Sequence, residues 1–258
     1  MKHEHTVLID ASACIGCGLC QKDCCASNIS LENGKAHIVS PDCLMCGHCV
    51  AICPKGAVSL TGFAEAPQPF DAPTRLDPHE LLQAIRTRRT IRQFAERSVP
   101  PETIERIIEA GRLTPTGGNA QEVTFAVLQE GREVAERKAV QLFRRLLPLV
   151  KLVDTTAKRT TIDDHFFFKK APVAIVVIAP DTVDGALAAS NMALMAEACG
   201  LGVLYSGFFT MAANRVPSLR ALLGLHRKRK AVATLVLGYP AVTYRRTAPK
   251  EEASVRTV

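Results

Sequence analysis

The chain has 258 residues, 47% of them apolar, and a formal net charge of +7. That is enough for one large domain, or for a small one beside a medium one, and too apolar for a disordered chain. No run approaches the ~18 apolar residues of a membrane span, and the start M-K-H-E-H lacks the apolar stretch of a secretory signal, so a cytoplasmic location with no membrane partner is expected.

Nine of the ten cysteines precede residue 54. The first run, C-I-G-C-G-L-C-Q-K-D-C, holds Cys14, Cys17, Cys20 and Cys24. The second, C-L-M-C-G-H-C-V-A-I-C-P, holds Cys43, Cys46, Cys49 and Cys53, followed by Pro54. Two copies of C-x2-C-x2-C-x3-C resemble the cysteine run of bacterial two-cluster ferredoxins. Three thiolates at these spacings can meet three corners of one cubane, and by the rule of those ferredoxins the fourth ligates the other cluster. The resemblance implies two [4Fe–4S] centres, one on Cys14, Cys17, Cys20 and Cys53, the other on Cys43, Cys46, Cys49 and Cys24. Two other chemistries use many cysteines. A disulfide scaffold suits a small secreted chain, and paired C-x2-C also binds zinc. The absence of an export signal argues against the first, and the third and fourth cysteines of each run against the second. Cys25 and Cys199 read as small buried residues.

In chain order, Thr6–Asp10, Ala36–Ser40 and Ala57–Leu60 read as short strands, with Asn33-Gly34 as a turn. The internal repeat predicts two pseudo-symmetric loop-and-helix halves. Residues 1–61 are therefore expected to form a ferredoxin-like domain, which so small a module can achieve with clusters at its centre. Residues 62–76, rich in Pro and Ala and without periodicity, read as a linker. A third region, 77–258, follows.

Asp77-Pro78-His79-Glu80 carries a cap, a first-turn proline and an acidic residue three after the cap, which predicts a helix to about Arg88. A second helix is expected from Pro100 to Leu113, and Thr114–Gln121 is a loop by composition. A strand at 123–128 and a helix at 132–147 follow, with Pro148 interrupting the helical pattern. Residues 172–179 and 231–237 are continuous apolar runs rich in β-branched side chains, the mark of buried strands. Residues 186–198 read as a small-residue helix, 202–209 as extended, and 217–223 as a short helix. Strands alternate with helices, so this region is α+β or α/β. The positive charge is scattered along the chain, with no Trp and little aromatic interleaving, which points away from a nucleic-acid partner.

No G-x-G-x-x-G or G-x4-G-K-[ST] is present, so no motif indicates a bound dinucleotide, and NAD(P)H stays open as an electron source. Three segments carry binding chemistry instead. R-R-T-I-R-Q-F (Arg88–Phe94) concentrates guanidiniums and a hydroxyl that suit bidentate phosphate capture. P-T-G-G-N-A-Q (Pro115–Gln121) combines glycines with amide side chains. Tyr244-Arg245-Arg246 follows the last strand. Each also fits a solvated surface stretch.

Together they resemble the nitroreductase family of flavin mononucleotide enzymes, in the R-R-S-x-R-x-F element, the P-S-G-x-N-x-Q-P loop and the late C-G-L-G and L-G-Y-P stretches, in the expected order over about 77–250. The resemblance implies an α+β fold, a homodimer, and FMN at the subunit interface. By position Arg88, Arg89, Thr90 and Arg92 would hold the phosphate and nearby flavin atoms, assisted by Arg245 or Arg246. Thr116, Gly117, Asn119 and Gln121 would approach from the other subunit, and backbone amides near Ser206 and Gly207 would face the flavin ring. Thr90 stands where the family has Ser, and Glu122 where it has Pro.

The reading of the whole chain is an α+β flavoenzyme joined to a small two-[4Fe–4S] ferredoxin-like domain. The clusters exchange electrons with FMN, which reduces a small acceptor of the nitroaromatic, quinone or activated-alkene type. No side chain stands out as a catalytic acid. An external electron-donor protein stays open, and so does a redox carrier or sensor that docks a partner and turns over no small substrate.

Overall fold

A computed structural model of the chain describes residues 5–69, 75–226 and 228–258. The expectations for the first four residues and for residues 70–74 of the linker lie outside these. Two compact units emerge: Met1–Arg75 together with Gly117–Ala120, and Leu76–Thr116 together with Gln121–Val258.

In the first unit, β1 (Val7–Ile9) pairs antiparallel with β4 (Val58–Leu60), and β2 (Ile29–Glu32) forms a hairpin with β3 (Lys35–Ile38). The hairpin turns at Asn33-Gly34, both at positive φ (49° and 74°). β2 lies outside the strands expected from the sequence, although I-S-L-E alternates apolar and polar residues. Two short helices, α1 (Leu19–Asp23) and α2 (His48–Ala51), start at Gly18 and Gly47, both left-handed (φ 73° and 77°). Each glycine follows the second cysteine of its run, so the repeat is structural as well as textual. The buried core is slight: Cys20, Ile29 and Ala36, with Ile9, Ile38 and Ile52 packed against them.

The second unit is built on a four-stranded antiparallel sheet in the order β5-β6-β8-β7, where β5 is Thr124–Leu128, β6 Val173–Ala179, β7 Gly202–Tyr205 and β8 Lys230–Gly238. The antiparallel pairing settles the fold class as α+β. Every residue of β6 is buried, which is why its sequence reads as a continuous apolar run. One face carries α4 (Pro101–Arg112) and α7 (Thr182–Ala198), through Ile104, Ile107, Ala189 and Met192. The other carries α5 (Arg132–Val153), α8 (Gly207–Arg215) and α9 (Pro217–Leu222), through Val140, Phe209 and Leu219, with Phe168 of the turn before β6 buried among them. Small side chains on α7 let it lie close: a Cβ on Gly185 would come within 2.7 Å of Val232.

Two expectations are corrected. The helix does not stop at Pro148 but runs to Val153 with the proline inside it. The ring removes one backbone donor, and the turns beyond it are exposed at Leu149, Leu152 and Val153. Nor does extended structure persist to Phe209. The strand ends at Tyr205 and α8 starts at Gly207, because the apolar run 207–213 buries Phe209, Ala212 and Ala213 at helical spacing.

The opening helix of this unit, α3 (Pro78–Thr87), is capped as anticipated: the Asp77 carboxylate accepts from Glu80 N at 2.8 Å. It buries no residue, and its apolar side, Leu81, Leu82 and Ile85, is exposed. Among the described residues no helix is long and apolar enough to cross a membrane.

Candidate functional site

In the first unit the eight repeat cysteines divide between two cavities. One is lined by Cys14, Cys17, Cys20 and Cys53, with Leu19, Leu31 and Val58 among its apolar walls. The other is lined by Cys43, Cys46, Cys49 and Cys24, with Ile29, Ile38 and Leu60. Each cavity gathers three cysteines of one run and the last cysteine of the other. Among the described residues no three His, Cys, Asp or Glu side chains converge tightly enough to hold a single ion.

Backbone N–H groups point at the sulfurs. Asn28 N donates to Cys24 Sγ at 3.2 Å and Ala57 N to Cys53 Sγ at 3.3 Å, the same i+4 arrangement in both halves. Ala36 N donates to Cys14 Sγ and Met45 N to Cys43 Sγ. Such donors stabilise negative charge on sulfur and tune any cluster bound there. The N–H groups of Ala36 and Gly16 hold the Cys14 thiol below its ordinary range, whereas burial pushes Cys20 and Cys49 up. Lys35 reaches over to donate to the Cys14 carbonyl.

Gly16 is required twice over. Its φ is +68°, and a Cβ there would sit 2.1 Å from the Gly34 carbonyl oxygen. Met45 holds the matching place in the second run and adopts the same left-handed backbone, φ 52°. Cys25 is exposed rather than buried and edges the second cavity beside Cys24, while Cys199 is half-buried. The turn Gly117–Asn119 also belongs to this unit, and Asn119 Nδ2 donates to the carbonyls of Leu44 and Met45 at 3.0 and 2.9 Å.

In the second unit, Arg92, Ser206 and Gly207 meet in a cavity of about 560 Å³. Thr90 bridges Val203 of β7, and Ile91 N donates to the Val203 carbonyl at 3.1 Å. Ile91 itself packs where a side chain on Gly202 would be; a Cβ there would lie 2.4 Å from it. Farther on, Phe94 bridges Pro240. The arginine-bearing segment is thereby fastened along the edge strand β7, which delivers Arg92 to the cavity. This gives the second glycine of C-G-L-G its physical reason.

Ser206 is the N-cap of α8, but its own N–H donates to the Thr234 carbonyl at 2.9 Å. The donors free of intrahelical partners are those of the first turn, from Gly207 onward. Their partial positive charge adds to that of Arg92 and Lys169, the two charged side chains in the lining. The remaining wall is largely aromatic: Phe166, Phe167, Tyr205 and Phe208.

Arg88, Arg89 and Thr90 do not line this cavity. Arg88 Nη1 and Arg89 Nε are buried and have no hydrogen-bond partner within the chain, nor does Glu197 Oε1. Burial pushes the Glu197 carboxyl up, with the Arg88 charge opposing, and Tyr205 is shifted upward for the same reason. Arg89 Nη2 donates to the Arg246 carbonyl at 2.8 Å, and its guanidinium lies 5.6 Å from the Tyr244 ring centroid. This brings the segment with Arg245 and Arg246 to the arginine motif, although both side chains are exposed. Thr116 accepts from Gln121 N at 3.0 Å, which closes the loop on itself.

Sequence reasoning left the cavity's far wall unassigned. The triplet Phe166-Phe167-Phe168 signalled it, but Lys169 and the residue that anchors this wall, Glu136, carried no motif. Glu136 is 3% exposed, and its Oε1 accepts from Phe167 N and Phe168 N at 2.9 and 2.7 Å.

Both regions of the chain match known families. Residues 85–239 match the nitroreductase family, and residues 6–54 match the 4Fe-4S dicluster domain. A Methanothermobacter thermautotrophicus protein provisionally named as an NADH dehydrogenase/NAD(P)H nitroreductase is 28% identical over 171 residues, covering 63% of this chain and 78% of its own. The Bacillus subtilis FMN reductase [NAD(P)H] is 25% identical, covering 63% and 67%. A Bacteroides fragilis nitroreductase with bound FMN superposes with a TM-score of 0.55 at 21% identity, over 69% of this chain and 98% of that one.

Proposed function

We propose, because this chain belongs to the nitroreductase family, that the oxidoreductase it forms uses FMN, and that a small acceptor is reduced with electrons supplied through its own 4Fe-4S dicluster domain. The observation that carries this reading is the presence, in one chain, of two four-cysteine cavities and a cation-bearing, aromatic-walled cavity. The clusters would supply electrons singly, and FMN can take them singly and release them in pairs.

The residues fit these groups. Cys14, Cys17, Cys20 and Cys53 would hold one [4Fe–4S] cluster, and Cys43, Cys46, Cys49 and Cys24 the other. Thiols spread around a cavity suit a polynuclear centre better than a lone zinc ion, which needs four donors at about 2.3 Å. On the flavin side, Arg88 and Arg89 each bury an unpartnered nitrogen, a costly arrangement that an anionic group would relieve. Arg92 and Thr90, with Arg245 or Arg246, would complete the phosphate grip, and the first-turn amides of α8 would donate to the flavin ring and favour its anionic reduced form. Thr116, Gly117, Asn119 and Gln121 would serve a flavin shared with a second copy of the chain. The exposed apolar side of α3 supports such a homodimer, since Leu81, Leu82 and Ile85 would otherwise stay in water. Nitroaromatics, quinones and activated alkenes suit the cavity, whose wall offers apolar stacking surface and positive charge.

The test is an anaerobic single-turnover experiment on protein loaded with both cofactors. A one-electron donor reduces the clusters, no NAD(P)H is present, and flavin absorbance is followed separately from that of the clusters. Flavin reduction at the expense of the clusters is expected, followed by reoxidation when a quinone or nitroaromatic is added. Fully loaded protein whose reduced clusters leave the flavin oxidised would eliminate the reading.

A further inference from the structure

We propose that Lys169 reads a negative charge on the acceptor, so that the second-unit cavity takes flat, apolar molecules carrying a carboxylate or similar anionic group in preference to neutral ones. This rests on the reading of that cavity as the flavin and acceptor site.

The lining itself motivates it. Aromatic rings supply a stacking surface for a flat molecule, and the charged side chains in the lining, Arg92 and Lys169, are both cations with no carboxylate to balance them. Arg92 belongs to the arginine segment assigned to FMN. Lys169 belongs to none of the flavin segments. Among the described residues no carboxylate lies within ion-pair distance of it. Its ammonium lies 4.7 Å from the Phe166 ring centroid, a contact that steadies the side chain while leaving its charge uncompensated.

The backbone beneath it is held in an unfavourable conformation. Lys169 and Lys170 are both left-handed, φ 51° and 62°, which non-glycine residues adopt at a cost and keep only where their surroundings enforce it. Here α5 does the enforcing. Glu136 accepts both Phe167 N and Phe168 N. Arg144 donates to the Ile162 carbonyl at 2.9 Å and pairs with Asp164 at 2.9 Å. Lys169 N closes the turn on the His165 carbonyl at 2.8 Å. A turn secured from both ends, in which Phe166 and Lys169 face the cavity, is a fixed wall that presents one ring and one charge to whatever enters.

Calorimetric titration of FMN-loaded protein with benzoate and with benzamide, neutral and nearly isosteric, tests this without turnover. Benzoate should bind at least about ten-fold more tightly, with a preference that shrinks as salt is added. Lys169→Gln should abolish the preference and leave benzamide affinity unchanged, and Lys169→Arg should keep it. Equal affinities in the unaltered protein, or a preference that survives in Lys169→Gln, would overturn the proposal. So would loss of FMN from Lys169→Gln, since the lysine would then serve the cofactor. Flavin content is read from the same samples. A chain that holds no FMN defeats the flavin reading, while the benzoate–benzamide pair still decides the role of Lys169.

Discussion

The two units solve the problem of building a redox site in opposite ways. The first puts its chemistry in sequence order. Eight cysteines within forty residues form both sites, and the fully buried apolar residues beside them are few: Cys20, Ile29, Ala36, Ala57 and Val58 among those described. The second gathers its site from distant segments: Arg92, Lys169 and Ser206 meet only because a fully buried strand, β6, anchors a sheet whose edge fastens the arginine segment. One unit has a site that supplies its core; the other has a core that supplies its site.

That contrast is open to a direct attack, and the largest effect is expected from removing the clusters. Metal binding free energy in such a small module is folding free energy, so anaerobic stripping of iron and sulfide should unfold residues 6–60. The second unit should stay folded on its own apolar interior. Amide hydrogen exchange measures both at once: protection should vanish in β1–β4 and persist in β6 and β8. Equal loss in both units would show that the second also depends on the clusters, and the comparison would fail.

The next effect is narrower. Because each cavity takes its fourth cysteine from the other run, Cys53→Ala should strip or convert the cluster held by Cys14, Cys17 and Cys20, not the one beside it in sequence. Cys24→Ala should do the reverse. Electron paramagnetic resonance of the reduced variants, with iron counted per chain, distinguishes them. If Cys53→Ala perturbs the Cys43–Cys49 centre instead, ligation is not crossed.

The same contrast explains what could be read from the residues alone. Cysteine spacing is a local code, and so were the Asn33-Gly34 turn, the Asp77 cap and the apolar runs of β6 and β8. The antiparallel order β5-β6-β8-β7 was not legible, because strand pairing depends on partners tens of residues away. Nor was Gly202, whose use is to admit Ile91, or α8, which starts almost directly after a strand and whose N-cap, Ser206, makes no side-chain capping bond. Pro148 misled because a single lost hydrogen bond does not end a helix that is held along its earlier turns by Ala135, Ala139 and Val140. Lys169 was silent for a different reason. Its position depends on a carboxylate thirty-three residues upstream that looks, in sequence, like any other helical glutamate.

That carboxylate supplies the smallest and most specific test. Burial pushes Glu136 above the ordinary value of 4.5, and the N–H groups of Phe168 and Phe167 pull the other way without reversing it. A raised value means that the folded unit holds this proton more tightly than the unfolded chain does. Stability from this group is then fully present below the ordinary value and declines as pH rises through the folded one. Glu136→Gln keeps a carbonyl oxygen for both N–H donors and cannot ionise. It also replaces the other oxygen with an amide in a buried place, at a cost of about 1–3 kcal/mol that does not depend on pH. The level of stability is therefore ambiguous, but its slope is not. Between acid and neutral pH the variant should lack part of the decline shown by the unaltered protein, as read from thermal unfolding of the second unit at several pH values. Parallel curves would mean that Glu136 is ionised in the folded unit as readily as in water. The fixed wall under Lys169 would then rest on a carboxylate that burial does not perturb.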